Sequence, residues 1–275
     1  YMNEEYSKNK YLSFIIPAAG KSTRFNQKNK IFEKIDYDNN FDVLQSVIYL
    51  AISIGIVRKV IVGYNKNSKQ ATDGIRAHSV DPSDEITNEE LINNLKKVDF
   101  VEGGSSRQET VFNCLKYLKN QNKDISDDWV IIHDAARPCL LVYDILEFIN
   151  KTLDCNISSI MALPLVDTLK KVNEDKIIEE TIPRENLWVA QTPQMFKFNV
   201  VFSSLKYCIE NKLQITDESQ AIELNGHKCR VHYGRPYNIK ITHEMDMTVA
   251  KCIINHIERY ILEDVEFNTN EDQIW

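Results

Sequence analysis

Two kinds of hydrophobic pattern alternate along this chain: short, nearly continuous apolar runs and longer stretches with helical periodicity. The apolar runs are rich in β-branched and aromatic residues, as buried strands are, and they lie at 12–16, 59–63, 98–102, 129–133 and 157–163. Helical patterns lie between them at 42–54, 105–119 and 140–154. Strands that alternate with helices predict βαβ units, so we expect an α/β fold with a parallel sheet covered by helices on both faces.

Two stretches interrupt this alternation. Between Pro164 and Leu187, two short strand-like runs flank a polar turn at 173–175, which predicts a projecting β-hairpin. An isolated two-stranded ribbon is only marginally stable in water, so we expect this β-arm to pack on a second subunit. The stretch at 65–89 is polar and predicts a surface insertion or a mobile loop.

These interruptions give the expected domain organisation. One α/β domain comprises residues 1–163 and 188–263, the β-arm for dimerisation comprises 164–187, and residues 264–275 form an acidic tail.

The net charge of −7 argues against a general binder of nucleic-acid backbones, which needs a basic face. It leaves room for a locally basic pocket that holds a small phosphorylated ligand.

Cysteine usage and hydropathy narrow the expected compartment. The six cysteines are scattered and form no C-x-x-C pair, so we expect reduced thiols rather than a disulfide framework or a zinc site. No apolar run approaches the ~18 residues of a membrane span, so no membrane is expected among the partners. We expect the cytoplasm of a bacterium, or the stroma of a plastid for a form from which a targeting segment was removed.

The first predicted strand ends in a loop of small residues, "PAAGKSTRF" at 17–25. The sequence Gly20-Lys21-Ser22 resembles the end of a P-loop, but the required earlier glycine would fall at Ile15, inside the strand. The small side chains still let backbone N–H groups approach phosphate oxygens, and Lys21 and Arg24 would neutralise their charge. The alternative is an ordinary strand–loop junction with solvated cations.

A second candidate stretch, "HDAARP" at 133–138, follows the predicted strand at 129–133. Asp134 at a strand end can accept from ribose hydroxyl groups or hold a Mg²⁺-bound water, and Ala135 permits close approach. The alternative makes Asp134 a helix N-cap with Arg137 as its ion-pair partner. We assign His133 a structural role, because no Ser or Cys nucleophile arrangement can be recognised around it.

The stretch "VEGGSSRQETV" at 101–111 predicts a strand, a glycine pair and the start of a helix. The backbone of Gly103 and Gly104 can recognise a base edge or a ribose without steric hindrance. Ser105 or Ser106 would cap the helix, and Thr110 lies one turn in. A simple capped βα turn is the alternative.

Two later stretches place polar residues at predicted strand ends. A strand that ends at 191–193 would hold Thr192 extended before a proline, which fixes the direction of its hydroxyl group. A strand-like run at 237–240 would end at Lys240, just before a helix start where a substrate phosphate can bind. Because ligands of open α/β sheets collect at the carboxyl ends of strands, the shared placement of all these residues indicates one site.

Together the motifs resemble one family, the 2-C-methyl-D-erythritol 4-phosphate cytidylyltransferases of the non-mevalonate isoprenoid pathway. The resemblance spans roughly residues 12–256, and its motifs, in the family's order, are "PAAGKSTRF", "NKIF", "EGGSSRQETV", "HDAARP", "DTLKKV", "RENLWVAQTPQ", "TDESQA" and "NIKITHEMD". It implies a Rossmann-like, mostly parallel twisted sheet flanked by helices, and a homodimer whose β-arms interlock. It also implies CMP transfer from CTP to methylerythritol phosphate, with Mg²⁺ as the divalent cation and pyrophosphate as the second product.

The resemblance also implies site residues, carried over motif by motif. The implied catalytic cations are Arg24, Lys30 and Lys240. The implied CTP-binding residues are Pro17, Ala18, Ala19, Gly20, Gly103, Gly104, Ser105, Thr110, Asp134 and Ala135. The implied contacts to methylerythritol phosphate are Asp134, Arg137, Thr192 and Lys240, with Thr168 and Arg184 supplied by the arm of the neighbouring subunit. The implied metal ligand is Asp134, directly or through water.

This chain departs from the family pattern in several places. The family usually has a glycine where Ser22 stands, so the loop is less free to wrap a triphosphate. The segment after Arg24 is shorter by about one residue, and we choose Lys30 rather than Lys28 because "IF" follows it. Three alternatives remain: a cytidylyltransferase for another polyol phosphate such as ribitol 5-phosphate, a non-catalytic nucleotide-binding regulator, and a Rossmann dehydrogenase. The last lacks support, since G-x-G-x-x-G does not follow the first strand.

Overall fold

The computed structural model describes residues 11–20, 29–35, 41–66 and 93–263, with side chains up to residue 256. The strands are β1 Leu12–Pro17, β2 Val57–Tyr64, β3 Val98–Glu102, β4 Trp129–Ile132, β5 Ser159–Pro164, β6 Leu169–Val172, β7 Ile178–Ile182, β8 Trp188–Lys197 and β9 Arg230–Tyr233. The helices are α1 Val43–Ile52, α2 Arg107–Gln121, α3 Val142–Cys155, α4 Phe198–Glu210, α5 Glu218–Leu224 and α6 Glu244–Glu263, with short 3₁₀ turns at Lys30–Phe32 and Ile125–Asp127.

Seven strands form one sheet in the order β3-β2-β1-β4-β8-β5-β9. The pairs β3–β2, β2–β1, β1–β4 and β5–β9 are parallel, whereas β8 runs antiparallel to both of its neighbours, β4 and β5. The predicted α/β fold with a mostly parallel sheet is confirmed. None of the described helices combines the length and the apolar composition needed to cross a lipid bilayer.

The central strand β1 shows why the sheet is covered on both faces. Phe14, Ile15 and Ile16 are completely buried, and successive side chains of a strand point to opposite faces. Phe14 and Ile16 pack with apolar residues of α1 and α3, whereas Ile15 packs with those of α2 and α4. A continuous apolar run is therefore the expected signature of this strand, because neither face meets water.

Strand β8 corrects one expectation, because it does not end at Gln191-Thr192-Pro193. It continues to Lys197 and pairs with β4 up to Trp129. Opposite Pro193, the pairing with β5 shifts between Ile160 and Ala162, and such an irregularity accommodates a residue that has no N–H to donate. The proline therefore marks a bulge inside the strand rather than its end.

The run at 237–240 corrects a second expectation, because it is an irregular loop rather than a strand. Its backbone groups bond to partners other than a neighbouring strand: the guanidinium of Arg137 donates to the Asn238 carbonyl group at 2.6 Å, and the Ile239 N–H donates to Tyr237. The alternating apolar residues therefore do not form a strand here, because side-chain and local backbone hydrogen bonds replace pairing with a neighbouring strand.

The stretch between Pro164 and Leu187 forms the predicted hairpin. Strands β6 and β7 pair antiparallel, from Leu169 opposite Ile182 to Val172 opposite Ile178, and make a separate two-stranded sheet. At the turn, the Asn173 carboxamide oxygen accepts from the Ile177 N–H at 2.9 Å. The arm keeps apolar side chains exposed on the single chain, among them Val166, Leu169, Val172, Ile177 and Ile178.

Candidate functional site

A cleft opens at the carboxyl ends of β1 and β4, beside the first turns of α2. Its lining, within the described part of the chain, consists of Pro17, Ala18, Ala19, Gly20, Lys30, Ile31, Arg107, Thr110, Asp134, Ala135, Ala136, Lys240 and Thr242. Residues separated by more than 200 positions therefore meet in one place. This is the position at which open α/β sheets bind their ligands.

One side of the cleft is shaped by the absence of side-chain atoms. A Cβ atom at Gly103 would lie 2.6 Å from the Cβ of Ala19 and 2.9 Å from the Thr110 hydroxyl oxygen. A Cβ at Gly63 would lie 2.5 Å from the Thr110 methyl carbon. Only glycine at these two positions lets the start of α2 pack against the loop after β1, which leaves backbone groups of that loop open to a ligand.

Side-chain contacts hold the predicted base-recognition segment. The Gly104 N–H donates to the Thr110 hydroxyl oxygen at 3.1 Å, and the Thr110 hydroxyl donates to the Ser106 carbonyl group at 2.8 Å. Ser106, not Ser105, caps α2, because its hydroxyl oxygen accepts from the Glu109 N–H. The N–H and hydroxyl groups of Ser105 both donate to the Glu109 carboxylate, at 2.7 and 2.6 Å.

Asp134, directly after β4, is the central anion of the cleft. Its Oδ1 accepts from Nε of Arg107 at 3.0 Å, its Oδ2 accepts from Nζ of Lys240 at 2.7 Å, and Nε of Arg137 lies 3.8 Å from Oδ2. Burial alone would raise the pKa of Asp134, but these three positive charges outweigh it and hold the pKa well below its usual value. Asp134 is therefore ionised throughout the physiological pH range.

Lys30 reaches the cleft from the 3₁₀ turn at Lys30–Phe32. Its Nζ donates to the carbonyl group of Ile241, one residue beyond Lys240. The two lysines therefore lie on the same rim of the cleft, although 210 positions separate them in the chain. Their convergence makes this rim electropositive.

A buried hydrogen-bond chain supports Asp134 from behind. Nε2 of the fully buried His133 lies 2.9 Å from the Arg137 carbonyl oxygen, so this nitrogen carries the proton. Nδ1 accepts from the Thr192 hydroxyl at 3.0 Å, and the same hydroxyl oxygen accepts from the Asp134 N–H at 3.0 Å. Burial lowers the pKa of His133 to about 4, which keeps the ring neutral.

Residues 234–242, hereafter the Lys240 loop, are anchored by buried polar contacts. Nε of Arg235 and the Tyr237 hydroxyl both donate to Asp144, at 2.7 and 2.8 Å. The Asn238 carboxamide donates to the Thr192 carbonyl group at 2.7 Å. Because these contacts come from α3 and β8, the loop that carries Lys240 is held by the scaffold and not by local structure.

Several predicted site residues do not line this cleft. Thr192 and Arg137 lie behind Asp134, where the Thr192 hydroxyl is used by His133 and the Asp134 backbone. Gly103, Gly104 and Ser105 support the cleft from the β3–α2 turn, and the exposed Thr168 and Arg184 lie on the arm. Arg24, with Lys21 and Ser22, lies outside the described residues, and so does most of the stretch at 65–89.

The structure also brings in two charged residues that sequence reasoning missed, Arg107 and Glu218. Both nitrogen–oxygen contacts of this pair are short, because Nη1 of Arg107 lies 2.6 and 2.8 Å from the two Glu218 oxygens. A signal was present: Arg107 is the first residue of α2, where a cation opposes the helix dipole and needs a specific anion to offset that cost.

Comparison with known proteins identifies the family. The model of the family "2-C-methyl-D-erythritol 4-phosphate cytidylyltransferase" matches residues 12–256. Among curated proteins of that name, one from Acinetobacter baumannii strain SDF is 32% identical over 240 residues, which cover 87% of this chain and 92% of the relative. One from Aliivibrio fischeri strain ES114 is 34% identical over 249 residues, covering 90% and 95%.

Solved structures extend the likeness to three dimensions. The crystal structure of Francisella tularensis 2-C-methyl-D-erythritol 4-phosphate cytidylyltransferase superposes with a TM-score of 0.69 at 27% sequence identity. The superposition covers 89% of this chain and all of that one. The structural likeness therefore extends over most of this chain.

Proposed function

The chain belongs to the 2-C-methyl-D-erythritol 4-phosphate cytidylyltransferase family, and we propose that the cleft around Asp134 is its active site. The enzyme transfers CMP from CTP to 2-C-methyl-D-erythritol 4-phosphate in isoprenoid precursor biosynthesis. The products are 4-diphosphocytidyl-2-C-methyl-D-erythritol and pyrophosphate. The observation that supports the assignment of the site is the convergence of Lys30, Arg107 and Lys240 on the small-residue loop at 18–20.

The chemistry explains why the described part of the cleft contains several cations and why the reaction needs no general base. The attacking phosphate of methylerythritol phosphate is already anionic, so it needs no proton removed. The phosphate oxygen attacks the α-phosphorus of CTP, the bond from that phosphorus to the bridging oxygen breaks, and pyrophosphate leaves with the electron pair. The barrier comes from bringing two polyanions together and from charge that builds on the α-phosphoryl oxygens.

In this mechanism the two lysines hold charge at fixed positions. We propose that Lys30 stabilises the α-phosphoryl oxygens in the transition state and that Lys240 binds the phosphate of methylerythritol phosphate. Asp134 orients Lys240 in the resting site, since their 2.7 Å contact fixes the ammonium group at the rim. Arg24 completes the proposed catalytic cations from outside the described residues.

The opposite side of the cleft suits the nucleotide. We propose that backbone groups of Ala18, Ala19 and Gly20 bind the triphosphate, with Pro17 and Ala135 allowing close approach. Gly103, Gly104 and Thr110 would form the base end. A contact from Ser105 requires the Glu109 carboxylate to turn away from it, because that carboxylate accepts from both of its donors.

The residues of the cleft fit Mg²⁺ bound mainly through the nucleotide. Mg²⁺ is commonly held by one or two carboxylates plus substrate phosphates, and Asp134 is the one carboxylate among the described residues that line the cleft. Both of its oxygens already accept from cations, so we propose that Asp134 holds the metal through water. When bound, the metal neutralises charge on the phosphates.

We further propose that the β-arm joins two chains into a homodimer and brings Thr168 and Arg184 to the partner's cleft. The exposed apolar residues of the arm support this, because a two-stranded ribbon with such a face is stabilised by packing on another surface. Ile178→Lys is expected to shift the sedimentation coefficient to that of a monomer and to lower activity, whereas Glu174→Lys at the hairpin turn does neither. A wild-type protein that sediments as a monomer would contradict the proposal.

The bacterial relatives support a cytoplasmic location, which we propose here, with the plastid stroma as the counterpart for a processed form.

The proposed site and activity are tested together by pyrophosphate release. Purified protein is assayed with methylerythritol phosphate, Mg²⁺ and each of CTP, ATP, GTP and UTP. The assay is then repeated with ribitol 5-phosphate replacing methylerythritol phosphate. We expect release with CTP and methylerythritol phosphate at a rate at least about tenfold above every other pair. Equal or faster release with ribitol 5-phosphate would favour the alternative substrate, and no release would favour a regulator.

A further inference from the structure

A fully buried carboxylate lies behind the cleft and does not line it. Glu218, the first residue of α5, is 0% exposed, and both of its oxygens accept from Nη1 of Arg107, at 2.6 and 2.8 Å. The helix does not need this side chain for capping, because Asp217 caps α5 by accepting from the Gln220 N–H at 3.0 Å. The Glu218 carboxylate is therefore not used as the cap, and both of its oxygens are available to Arg107.

The contacts continue from Glu218 to the rim of the cleft. Arg107 uses Nη1 for Glu218 and Nε for Oδ1 of Asp134, at 3.0 Å. Oδ2 of Asp134 then accepts from Lys240 at 2.7 Å. Four side chains, from α5, α2, the end of β4 and the Lys240 loop, thus form one continuous chain of ion pairs, hereafter the ion-pair relay.

The geometry of arginine explains what the buried end contributes. A guanidinium group can bind a carboxylate through two parallel N–H···O bonds, and such a fork occupies both carboxylate oxygens. Here the two contacts of Nη1 with Glu218 fix the direction of the guanidinium group, and in that direction Nε donates to Oδ1 of Asp134 alone. The second oxygen is left for Lys240. Without the Glu218 charge the guanidinium group is free to turn, and a fork from Nε and Nη2 to both Asp134 oxygens would compete with Lys240.

Burial strengthens this interpretation. Removing a carboxylate from water is costly, and buried ion pairs are frequently no more stabilising than well-packed apolar residues. Glu218 is completely buried and the Asp134 side chain is only 9% exposed, whereas Lys240 at the far end is 41% exposed. The relay is thus rigid at its buried end and accessible where the substrate phosphate would bind.

We propose that Glu218 and Arg107 are positioning residues, which hold Asp134 in the one orientation that leaves an oxygen for Lys240 and so set the place of its ammonium group. The role of Lys240 toward methylerythritol phosphate rests on the function proposed above. The geometry of the relay does not, so it is testable without substrate.

The first test is structural and uses Glu218→Gln, which removes the charge and keeps the size. In a crystal structure of this variant we expect Arg107 to bind both oxygens of Asp134 and the Lys240 ammonium to move beyond ion-pair distance of Asp134. If Lys240 kept its contact with Asp134 while Glu218 was neutral, the proposal would be overturned, whatever reaction the enzyme catalyses.

The second test separates positioning from a merely structural role. We expect Glu218→Gln to raise KM for methylerythritol phosphate about tenfold, a typical coupling for residues in one network, and to change KM for CTP less than about twofold. In a Lys240→Ala background the same substitution is expected to change KM for methylerythritol phosphate less than about twofold. Equal changes in both KM values, or effects that simply multiply in the double variant, would contradict the relay.

Controls keep this test interpretable. Ser219→Ala alters the next residue of α5, which is also buried and whose hydroxyl donates to Asp217 at 2.9 Å, so it reports on loosening of the helix alone. We expect unchanged KM values for Ser219→Ala and partial recovery for Glu218→Asp. If Glu218→Gln does not fold, Arg107→Lys takes its place, because lysine keeps the charge but cannot bridge two carboxylates in one plane. Because Arg107 itself lines the cleft, this variant is read from its crystal structure, in which Lys240 should lose its contact with Asp134. A retained contact would overturn the proposal.

Discussion

The two walls of the cleft differ in how the chain specifies them. The small-residue wall (Ala18–Gly20, Gly103 and Thr110) is shaped by missing side-chain atoms, and close packing brings α2 against the loop after β1. The charged wall (Lys30, Asp134 and the Lys240 loop) is shaped by long side chains that meet across distant parts of the chain. A wall of backbone groups suits a nucleotide, whereas a wall of paired charges suits a phosphate whose charge changes during the reaction.

The two walls are sensitive to different kinds of substitution. Adding one methyl group harms the small-residue wall, since the space is already filled. Removing one charge harms the charged wall, since the remaining charges of a partly buried network lose a partner. Substitutions in the two walls should therefore separate the binding of CTP from turnover and from the binding of the second substrate.

The largest expected effect comes from Lys30→Ala in the charged wall. Removing a preorganised charge that stabilises developing negative charge lowers kcat by about 10²–10³. The dissociation constant for CTP, measured by calorimetry, should change only a few-fold, because the opposite wall holds the nucleotide. Lys123→Ala, an exposed lysine distant from the cleft lining, serves as the control. Turnover within a few-fold of wild type would remove Lys30 from its proposed role.

Gly103→Ala tests the small-residue wall. The added Cβ would lie 2.6 Å from the Cβ of Ala19, so the loop after β1 must shift. We expect a loss of about 1–3 kcal/mol in the free energy of unfolding and a selective rise in KM for CTP. Gly55→Ala is the matched control, because a Cβ there meets nothing within 4 Å. A Gly103→Ala variant with normal stability and normal KM for CTP would show that the wall tolerates more than its packing indicates.

The pH dependence of stability tests the support behind Asp134. Burial lowers the pKa of His133 from 6.5 to about 4, so the unfolded chain binds this proton more readily than the folded one. The contribution of neutral His133 to the free energy of unfolding is complete above pH 6.5 and is lost as the pH falls toward 4. Between pH 7 and pH 5 we expect His133 to cost about 2 kcal/mol of the free energy of unfolding.

Urea titrations of wild type and His133→Gln at both pH values isolate this contribution, because the other titrating groups are shared. The pH-dependent loss should be about 2 kcal/mol smaller in the variant. Nitrogen NMR of the wild-type ring should show the proton on Nε2 and no titration above pH 5. A ring that titrates near pH 6.5 would contradict a neutral, buried His133.

Tyr237→Phe gives the smallest expected effect. It removes a hydroxyl group that donates to Asp144 at 2.8 Å and leaves the ring in place. The loss should be about 1 kcal/mol in the free energy of unfolding, with a few-fold rise in KM for methylerythritol phosphate because the Lys240 loop loosens. Tyr207→Phe, an exposed tyrosine on α4, should change neither quantity. A rise in KM for CTP instead would show that the loop serves the other substrate.

The two walls also differ in how far the sequence predicts them. Ala18, Gly20 and Gly103 follow strands directly, so hydrophobic pattern and residue size are enough to place them at the sheet edge. Asp134 was predicted by the same rule, and so was the α/β fold itself, because buried parallel strands appear as continuous apolar runs. The local sequence pattern predicts a residue's position when the strand that positions it is next to it in the chain.

The charged wall follows from contacts that the local pattern does not contain. Lys240 was expected at a strand end and lies in a loop held by α3 and β8, so its place on the cleft was anticipated with an incorrect local structure. A substrate contact of Thr192 stays a prediction, and local pattern gave no sign that its hydroxyl bonds to His133 and to the Asp134 N–H. Arg107 and Glu218 were missed because these two partners lie 111 positions apart in the chain.

In the proposed site, cations from distant parts of the chain meet around one triphosphate at the edge of the sheet. The most direct test is a crystal structure with Mg²⁺ and a CTP analogue that cannot be cleaved at the α-phosphorus. We expect the triphosphate on the backbone of 18–20, with Nζ of Lys30 within about 3 Å of a phosphate oxygen and Lys240 facing the α-phosphorus across an open space for the second phosphate. A nucleotide bound elsewhere, with both ammonium groups turned away from it, would rule out this site.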